Sequence, residues 1–161
     1  MIRSLKNNDA GAVLEIYRQG LDSGEASFET EPPDWAHWQN KYHDFCRLVC
    51  EQDGKVSGWA ALAPVSARDC YRGVAEVSVY VATDRLGQGI GSKLMKALVE
   101  VSERHGIWSL YSSIFPENQA TLKLHLRNGF REVGIRERIA RRDGRWRDTL
   151  ILERRSKIVG V

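Results

Sequence analysis

A mixed α/β fold, with a mostly antiparallel sheet of about seven strands flanked by about four helices, follows from three observations. Asp53-Gly54 and Asp143-Gly144 each separate two β-rich runs and mark tight hairpins, hence antiparallel neighbours. Between them, residues 76–114 read as strand, glycine-rich loop, helix and strand, which predicts one parallel or splayed pair joined by a crossover helix. Other segments carry apolar residues at helical spacing, and their stripes need the faces of that sheet.

In order, residues 2–5 read as a first strand, and Asn7, Asn8 and Asp9 offer caps for a helix. Ala10, Val13, Leu14, Tyr17 and Leu21 give that helix one apolar face, and Gly20 and Gly24 punctuate its end. Residues 27–33, ending in Pro32-Pro33, read as an extended loop. A short helix near Asp34 presents Trp35, Trp38 and Tyr42, as core or as pocket wall. Strands are expected over 45–52, 56–63 and 74–81, with a polar loop over 65–73. In the third, Val77, Val79 and Val81 share one face, and Glu76, Ser78 and Tyr80 the other. A helix over 89–105 has the stripe Ile90, Leu94, Ala97, Leu98, Val101, His105. A strand over 107–114 ends at Phe115-Pro116. A helix from Asn118 to about Asn128 turns Leu122 and Leu126 inward, with His125 a candidate beside them, and Gly129 follows as its stop. Strands over 130–140 and 146–154 complete the order β-α-α-β-β-β-α-β-α-β-β, and residues 156–161 read as a loose tail.

The chain of 161 residues has the length of one domain and can bury a core of its own. No run of eighteen apolar residues is present, and the first residues lack the apolar core of a signal peptide, so a cytoplasmic protein without a membrane role is expected. Cys46, Cys50 and Cys70 show no metal-ligand spacing, and buried or idle thiols are the expectation, with no metal. A net charge of +3 is too small to suggest a nucleic-acid partner. The late arginines, Arg136 to Arg155, alternate with Glu137, Asp143, Asp148 and Glu153, and read as a solvated hairpin.

The stretch with the most chemistry runs from Glu76 to Ser92. A helix start leaves backbone N–H groups unpaired and carries the positive dipole end, and glycines let that backbone approach a phosphate. No Gly-Lys-Ser/Thr follows at the spacing of a Walker loop, and a dinucleotide fold would place such a loop after the first strand.

Arg85-Leu86-Gly87-Gln88-Gly89-Ile90-Gly91, on the end of a valine-rich strand, resembles the acetyl-CoA pyrophosphate loop of the GNAT superfamily of N-acetyltransferases. Pro116-Glu117-Asn118-Gln119-Ala120-Thr121-Leu122-Lys123-Leu124-His125 with Gly129-Phe130 resembles a later motif of that family, and the element order matches from end to end. Ser27-Phe28-Glu29, Tyr71-Arg72, the strand 76–81, Leu124-His125 and the stretch 144–148 look like its phosphinothricin and methionine sulfoximine acetyltransferase branch. That branch often has an aromatic residue and Thr-Val-Glu where this chain has Gly73-Val74-Ala75-Glu76, and prefers Ser where this chain has Thr121.

The resemblance implies a single N-acetyltransferase domain over residues 1–155, a sheet splayed at the acetyl-CoA site, and a homodimer. It implies acetyl-CoA as co-substrate, held by Arg85, Leu86, Gly87, Gln88, Gly89, Ile90, Gly91 and Ser92 at the diphosphate. Val79, Tyr80 and Val81 lie along the pantetheine, where Val79 N–H is the candidate to polarise the thioester carbonyl. Asn118 is an N-cap, a pantetheine contact or both; Lys123 either reaches a CoA phosphate or is solvated. Glu76 is implied as the base or as the ammonium binder. His125 stands where many relatives carry a tyrosine that protonates the thiolate. The acceptor pocket would draw on Phe28, Glu29, Arg72, Glu76, Ser78 and Tyr80; Arg72 suits a carboxylate, or is an exposed loop charge. The expected reaction is direct acetyl transfer to the amine of an amino-acid-like substrate. Polyamine, aminoglycoside or protein N-terminal acceptors are alternatives, as is a non-catalytic acyl-CoA-binding domain.

Overall fold

The computed structural model describes residues 1–161. Seven strands form one sheet: β1 Ile2–Ser4, β2 Leu48–Gln52, β3 Lys55–Pro64, β4 Val74–Val81, β5 Ser109–Ile114, β6 Arg131–Arg142 and β7 Arg145–Arg155. The helices are α1 Ala10–Asp22, α2 Trp35–Lys41, α3 Ile90–Arg104 and α4 Gln119–Arg127. The strand order is β1-β2-β3-β4-β5-β7-β6, and every neighbouring pair is antiparallel except β4–β5. The element order is the one the sequence predicts, and β4 has the expected ends.

The β4–β5 pair positions everything that follows. It holds for only three registers, Val74 with Ser109 to Glu76 with Tyr111, while β4 pairs with β3 as far as Val81. From Val77 onward β4 therefore has one free edge, and the sheet opens there. The Ala82 N–H donates to Ser57 O on the β3 side. Because N–H direction alternates along a strand, the Val79 and Val81 amides point the other way, into the opening.

Two cores sandwich the sheet. Val77, with Val79 and Val81 beside it, packs under Ile90, Leu94, Met95 and Leu98 of α3. The opposite face packs under Val13, Ile16, Tyr17 and Leu21 of α1 and Trp38 of α2, with Tyr80 at its margin. Tyr17, Trp59 and Tyr80 stack with centroids 4.8–5.4 Å apart, and Trp38 meets Trp59 edge-on. The aromatic residues of α2 are thus mainly core: Trp38 and Tyr42 are buried and Trp35 stacks on Trp38.

Several local expectations are corrected. β2 starts at Leu48, not Phe45, because Cys46 has a left-handed φ of 57° and Arg47 turns back onto the carbonyls of Gln39, Tyr42 and His43. The expected start of β5 at 107 shifts to Ser109, since Ile107 N–H bonds Ser102 O and Trp108 N–H bonds Gly73 O. On α3 the buried stripe is Ile90, Leu94, Met95, Leu98, Val99 and Ser102; His105 is exposed and stacks on Phe45. On α4 His125 is buried and Leu126 is 45 % exposed. Asn7, Asn8 and Asp9 form a 3₁₀ turn, and Asp9 accepts from Lys6 N–H and from Arg3.

The last residues are not loose either. Ser156 is buried, its N–H donates to Trp108 O and its hydroxyl to Glu103, and Arg155 donates to the carbonyls of Val159 and Gly160. Nor is the arginine-rich hairpin solvated throughout, because Arg142 is 8 % exposed.

Candidate active site

A cleft of about 570 Å³ runs from the mouth of the sheet opening, past the glycine loop, to the face under α1 and α2. Its outer end is built from backbone. Gly87 and Gly89 both sit at φ +77°, a conformation glycine adopts without strain, and nothing lies within 4 Å of where a Cβ would be. Gly89 caps α3 without a side-chain bond, and the first turn of α3 carries no acidic residue. The amides of that turn are thus free donors at the positive end of a fifteen-residue helix. Arg85 stands beside them, 3.6 Å from Asp53 and 3.9 Å from Asp84, two long pairs with exposed carboxylates.

The inner end is built from side chains. Glu76 lies on the α1–α2 face of β4, half-buried, at the last register shared with β5. Burial raises its carboxyl above the ordinary range; the Lys41 charge opposes that rise and Glu29 adds to it. Tyr17 donates to Glu29 Oε2 at 2.6 Å, and Lys41 Nζ lies 3.3 Å from Tyr17 Oη and 3.5 Å from Glu29 Oε1. Tyr42 donates to Ser78 Oγ at 3.1 Å. Burial also raises the phenols of Tyr17 and Tyr80, so both are neutral donors at physiological pH.

Between the two ends sit two buried polar atoms with no partner, His125 Nε2 and Thr149 Oγ1. His125 Nδ1 is 2.7 Å from Thr121 O, and a carbonyl only accepts, so Nδ1 carries the hydrogen. Burial lowers the imidazole pKa, partly offset by that bond, and the ring is neutral near pH 7. Its Nε2 is therefore a bare acceptor in the cleft.

Of the residues singled out in the sequence, the cleft brings together Phe28, Glu76, Ser78, Val79, Tyr80, Val81, Arg85, Leu86, Gly87, Gly89, Ile90, Gly91, Ser92, Asn118 and His125. Asn118 caps α4 by accepting from Thr121 N–H and ties it to the neighbouring loop through Glu25 O. Glu29 stands behind the wall, holding Tyr17 and Lys41. Gln88 and Lys123 do not line the cleft, and both are exposed. Arg72 does not line it either: it bonds Asp69 and lies over the Trp108 ring. A Cβ at Gly73 would lie 2.0 Å from that indole, so Trp108 fills the space a side chain at 73 would need.

Sequence reading missed Tyr17, Lys41 and Thr149, which line the cleft, and two arginines that hold its wall. Arg142 donates to the carbonyls of Leu21, Ser27 and Glu29 at 2.5–2.8 Å. Arg147 donates to Gly24 O, pairs with Glu25 and Glu117, and lies 3.8 Å over the Phe115 ring. Phe115 in turn meets Phe28 edge-on at 5.0 Å. Tyr17 sits within an ordinary apolar stripe, and the arginines within a charge-alternating hairpin, so no local signal marked them.

Acetyl-CoA fits this geometry. A diphosphate needs converging N–H donors free of side chains, which the turn at Gly87–Ser92 supplies. A chain of amides needs an unpaired strand edge, which β4 supplies beyond Glu76. The orphaned Nε2 and Oγ1 atoms then face the space between.

Residues 12–130 match the Acetyltransferase (GNAT) family. A phosphinothricin N-acetyltransferase from Alcaligenes faecalis is 34% identical over 160 residues, covering 95% of this chain and 81% of the relative. A ribosomal-protein-alanine N-acetyltransferase from Brucella melitensis superposes with a TM-score of 0.89 at 30% identity, over 97% of this chain and 99% of that one. A Salmonella typhimurium protein solved with its cofactor acetyl-CoA gives a TM-score of 0.87 at 27% identity, over 96% and 92% of the two chains. The free edge of β4, the glycine turn and these likenesses agree: the chain belongs to the Acetyltransferase (GNAT) family and is an acetyl-CoA-dependent N-acetyltransferase.

Proposed function

We propose that this enzyme acetylates the α-amino group of a small amino-acid-like substrate, of the phosphinothricin or methionine sulfoximine type, by direct transfer. The observation that carries the reading is Glu76, a half-buried carboxylate one residue before the β4 edge opens, on the face away from α3. Cofactor and amine meet there from opposite sides.

Acetyl-CoA supplies an acyl carbon activated as a thioester; this chain's residues bind, orient and move protons. The amides of Leu86 to Ser92, with Arg85, hold the diphosphate, and Val79 N–H polarises the acyl oxygen. Phe28, Ser78 and Tyr80 wall the acceptor. The amine arrives as an ammonium and gives up two protons. Glu76 takes the first, which frees the lone pair and is released to solvent. The second leaves nitrogen as the N–C bond forms and the C–S bond breaks. His125 Nε2, a bare acceptor, takes that proton and passes it to the departing sulfur, ending neutral as it began. The order matters: a ring whose Nδ1 is committed to Thr121 O donates from Nε2 only after Nε2 has been loaded.

The deciding experiment is a screen of acetyl-CoA consumption with phosphinothricin, methionine sulfoximine, methionine sulfone, polyamines, aminoglycosides and peptides with free N-termini. Saturable turnover of the first three supports the reading, and turnover of polyamines or aminoglycosides alone overturns it. A peptide acceptor is the second reading, favoured by the likeness to the Brucella enzyme. His125→Ala with unaltered kcat would remove the ring from the proton path.

The same reading includes a homodimer and a cytoplasmic setting. Val133, Ile135 and Ile139 on the edge strand β6 and Trp146 on β7 are 48–62 % exposed, an apolar strip that a second copy would cover. Light scattering behind size exclusion measures that directly. All three cysteines are unpaired, which suits a reducing compartment.

A further inference from the structure

The inner end of the cleft holds a cation that the proton chemistry does not use. Lys41 is the last residue of α2, and its side chain is 37 % exposed, opening into the cleft. The other cations on the lining are placed elsewhere: Arg85 belongs to the glycine turn and Arg127 to the end of α4. Arg72, the guanidinium that sequence reading offers for a carboxylate, is committed to Asp69 and Trp108 outside the cleft.

Lys41 is positioned without being saturated. Its Nζ lies over the rings of Tyr42 and Tyr17 at 5.2 and 5.8 Å, which fixes its direction. Its polar contacts are long, 3.3 Å to Tyr17 Oη and 3.5 Å to Glu29 Oε1. Glu29 meanwhile accepts a short bond from Tyr17 through its other oxygen, so its carboxylate does not depend on Lys41. An ammonium has three donors, and a ligand carboxylate can replace the weak Glu29 contact without stranding either group. Lys41 is also the cation whose charge acts on Glu76.

We propose that Lys41 anchors the α-carboxylate of the acceptor, so that Glu76 and Lys41 together select a zwitterionic α-amino acid over a simple amine. This rests on the substrate reading above. The α-nitrogen and α-carboxylate of an amino acid are held on one carbon, and the site offers a carboxylate and an ammonium at the inner end of one cleft. An amine lacking the carboxylate leaves Lys41 to Glu29, a contact already made in the free enzyme, and gains nothing there. Selectivity then comes from one charge-assisted contact present for one substrate and absent for the other.

The test uses a matched pair: methionine sulfone and its decarboxylated counterpart, 3-(methylsulfonyl)propan-1-amine. Wild type is expected to favour the amino acid in kcat/KM. Lys41→Met and Lys41→Gln are expected to shrink that preference by about 10- to 100-fold, mainly through KM, as loss of a charge-assisted contact implies. Lys41→Arg is expected to restore most of it. Acetyl-CoA affinity, measured by calorimetry, reads whether each variant keeps its fold. If Lys41→Met and Lys41→Gln bind acetyl-CoA and discriminate as wild type does, or lose both substrates in equal proportion, the assignment of Lys41 is overturned while the substrate reading stands. If wild type turns over neither compound yet acetylates a peptide or polyamine, the substrate reading itself fails, and this inference with it.

Discussion

The two ends of the cleft are made of different material. The cofactor end is backbone: a strand edge without a neighbour, two left-handed glycines and a helix start, all within residues 77–92. The acceptor end is side chains from α1, α2, the loop after α1, β4, α4 and β7, held by bonds spanning up to 123 residues of sequence. Main-chain donors recognise what every acetyl-CoA has in common, and any sequence that makes the turn can present them. On the proposed reading side-chain donors recognise one acceptor, and replacing one of them should leave the other end undisturbed. A family built this way keeps its cofactor and varies its substrate.

That division can be broken by experiment. Glu76→Gln should cause the largest loss, about a hundredfold in kcat/KM with acetyl-CoA affinity unchanged. The wild-type rate should fall on acidification at a pH above the ordinary glutamate range, since burial raises the carboxyl. A Gln variant that loses cofactor affinity would show that the ends are coupled. Gly89→Ala is the reciprocal test. An L-residue at φ +77° costs about 1–2 kcal/mol, and KM for acetyl-CoA should rise about tenfold while acceptor KM stays put.

Arg142→Met removes three bonds, two to carbonyls of the loop after α1 and one to Leu21 O at the end of α1. A loss of about 2–3 kcal/mol in denaturant stability is expected, with a several-fold rise in acceptor KM alone. Gly73→Ala should cost about 1–3 kcal/mol by overpacking against Trp108, and much less in a Trp108→Ala background, a coupling that a double-mutant cycle reads.

The smallest effect concerns stability. A carboxyl whose pKa is raised on folding binds its proton more tightly in the native state. Native stability therefore falls as pH rises from the unfolded value, about 4.3, through the folded one. Glu76→Gln removes that penalty, so its Tm should exceed that of wild type at pH 8 and converge with it below pH 4. Equal melting at both pH values would mean that Glu76 is not held under strain.

How much the sequence disclosed follows the same division. β4 was legible to the residue because Val74–Val81 alternates cleanly and runs into glycines. The glycine turn before α3 was legible because its residues are contiguous and Gly87 and Gly89 have one conformational reason to be there. Asn118 was legible as a cap from its place before a helix, and His125 only as a candidate inward residue. Lys41 looked like any lysine at a helix end, and Arg142 like its neighbours in a charged hairpin. Arg72 lies in a stretch that resembles an acceptor wall, but the fold sets it against Asp69 and Trp108, outside the cleft lining.

By itself, the sequence determined the order of elements, the hairpins, the open strand and the glycine turn at the start of α3. Each depends on backbone preferences and periodicity within a dozen or so residues. Only the tertiary structure decided that His125 Nε2 is buried without a partner, which cation shares the cleft with Glu76, and which arginines hold the loop after α1. The arginine bonds join groups 113 to 121 residues apart, and Lys41 and Glu76 come from separate elements. The His125 bond to Thr121 O is one helical turn long, but the burial that leaves Nε2 without a partner comes from the fold, and none of this is encoded locally.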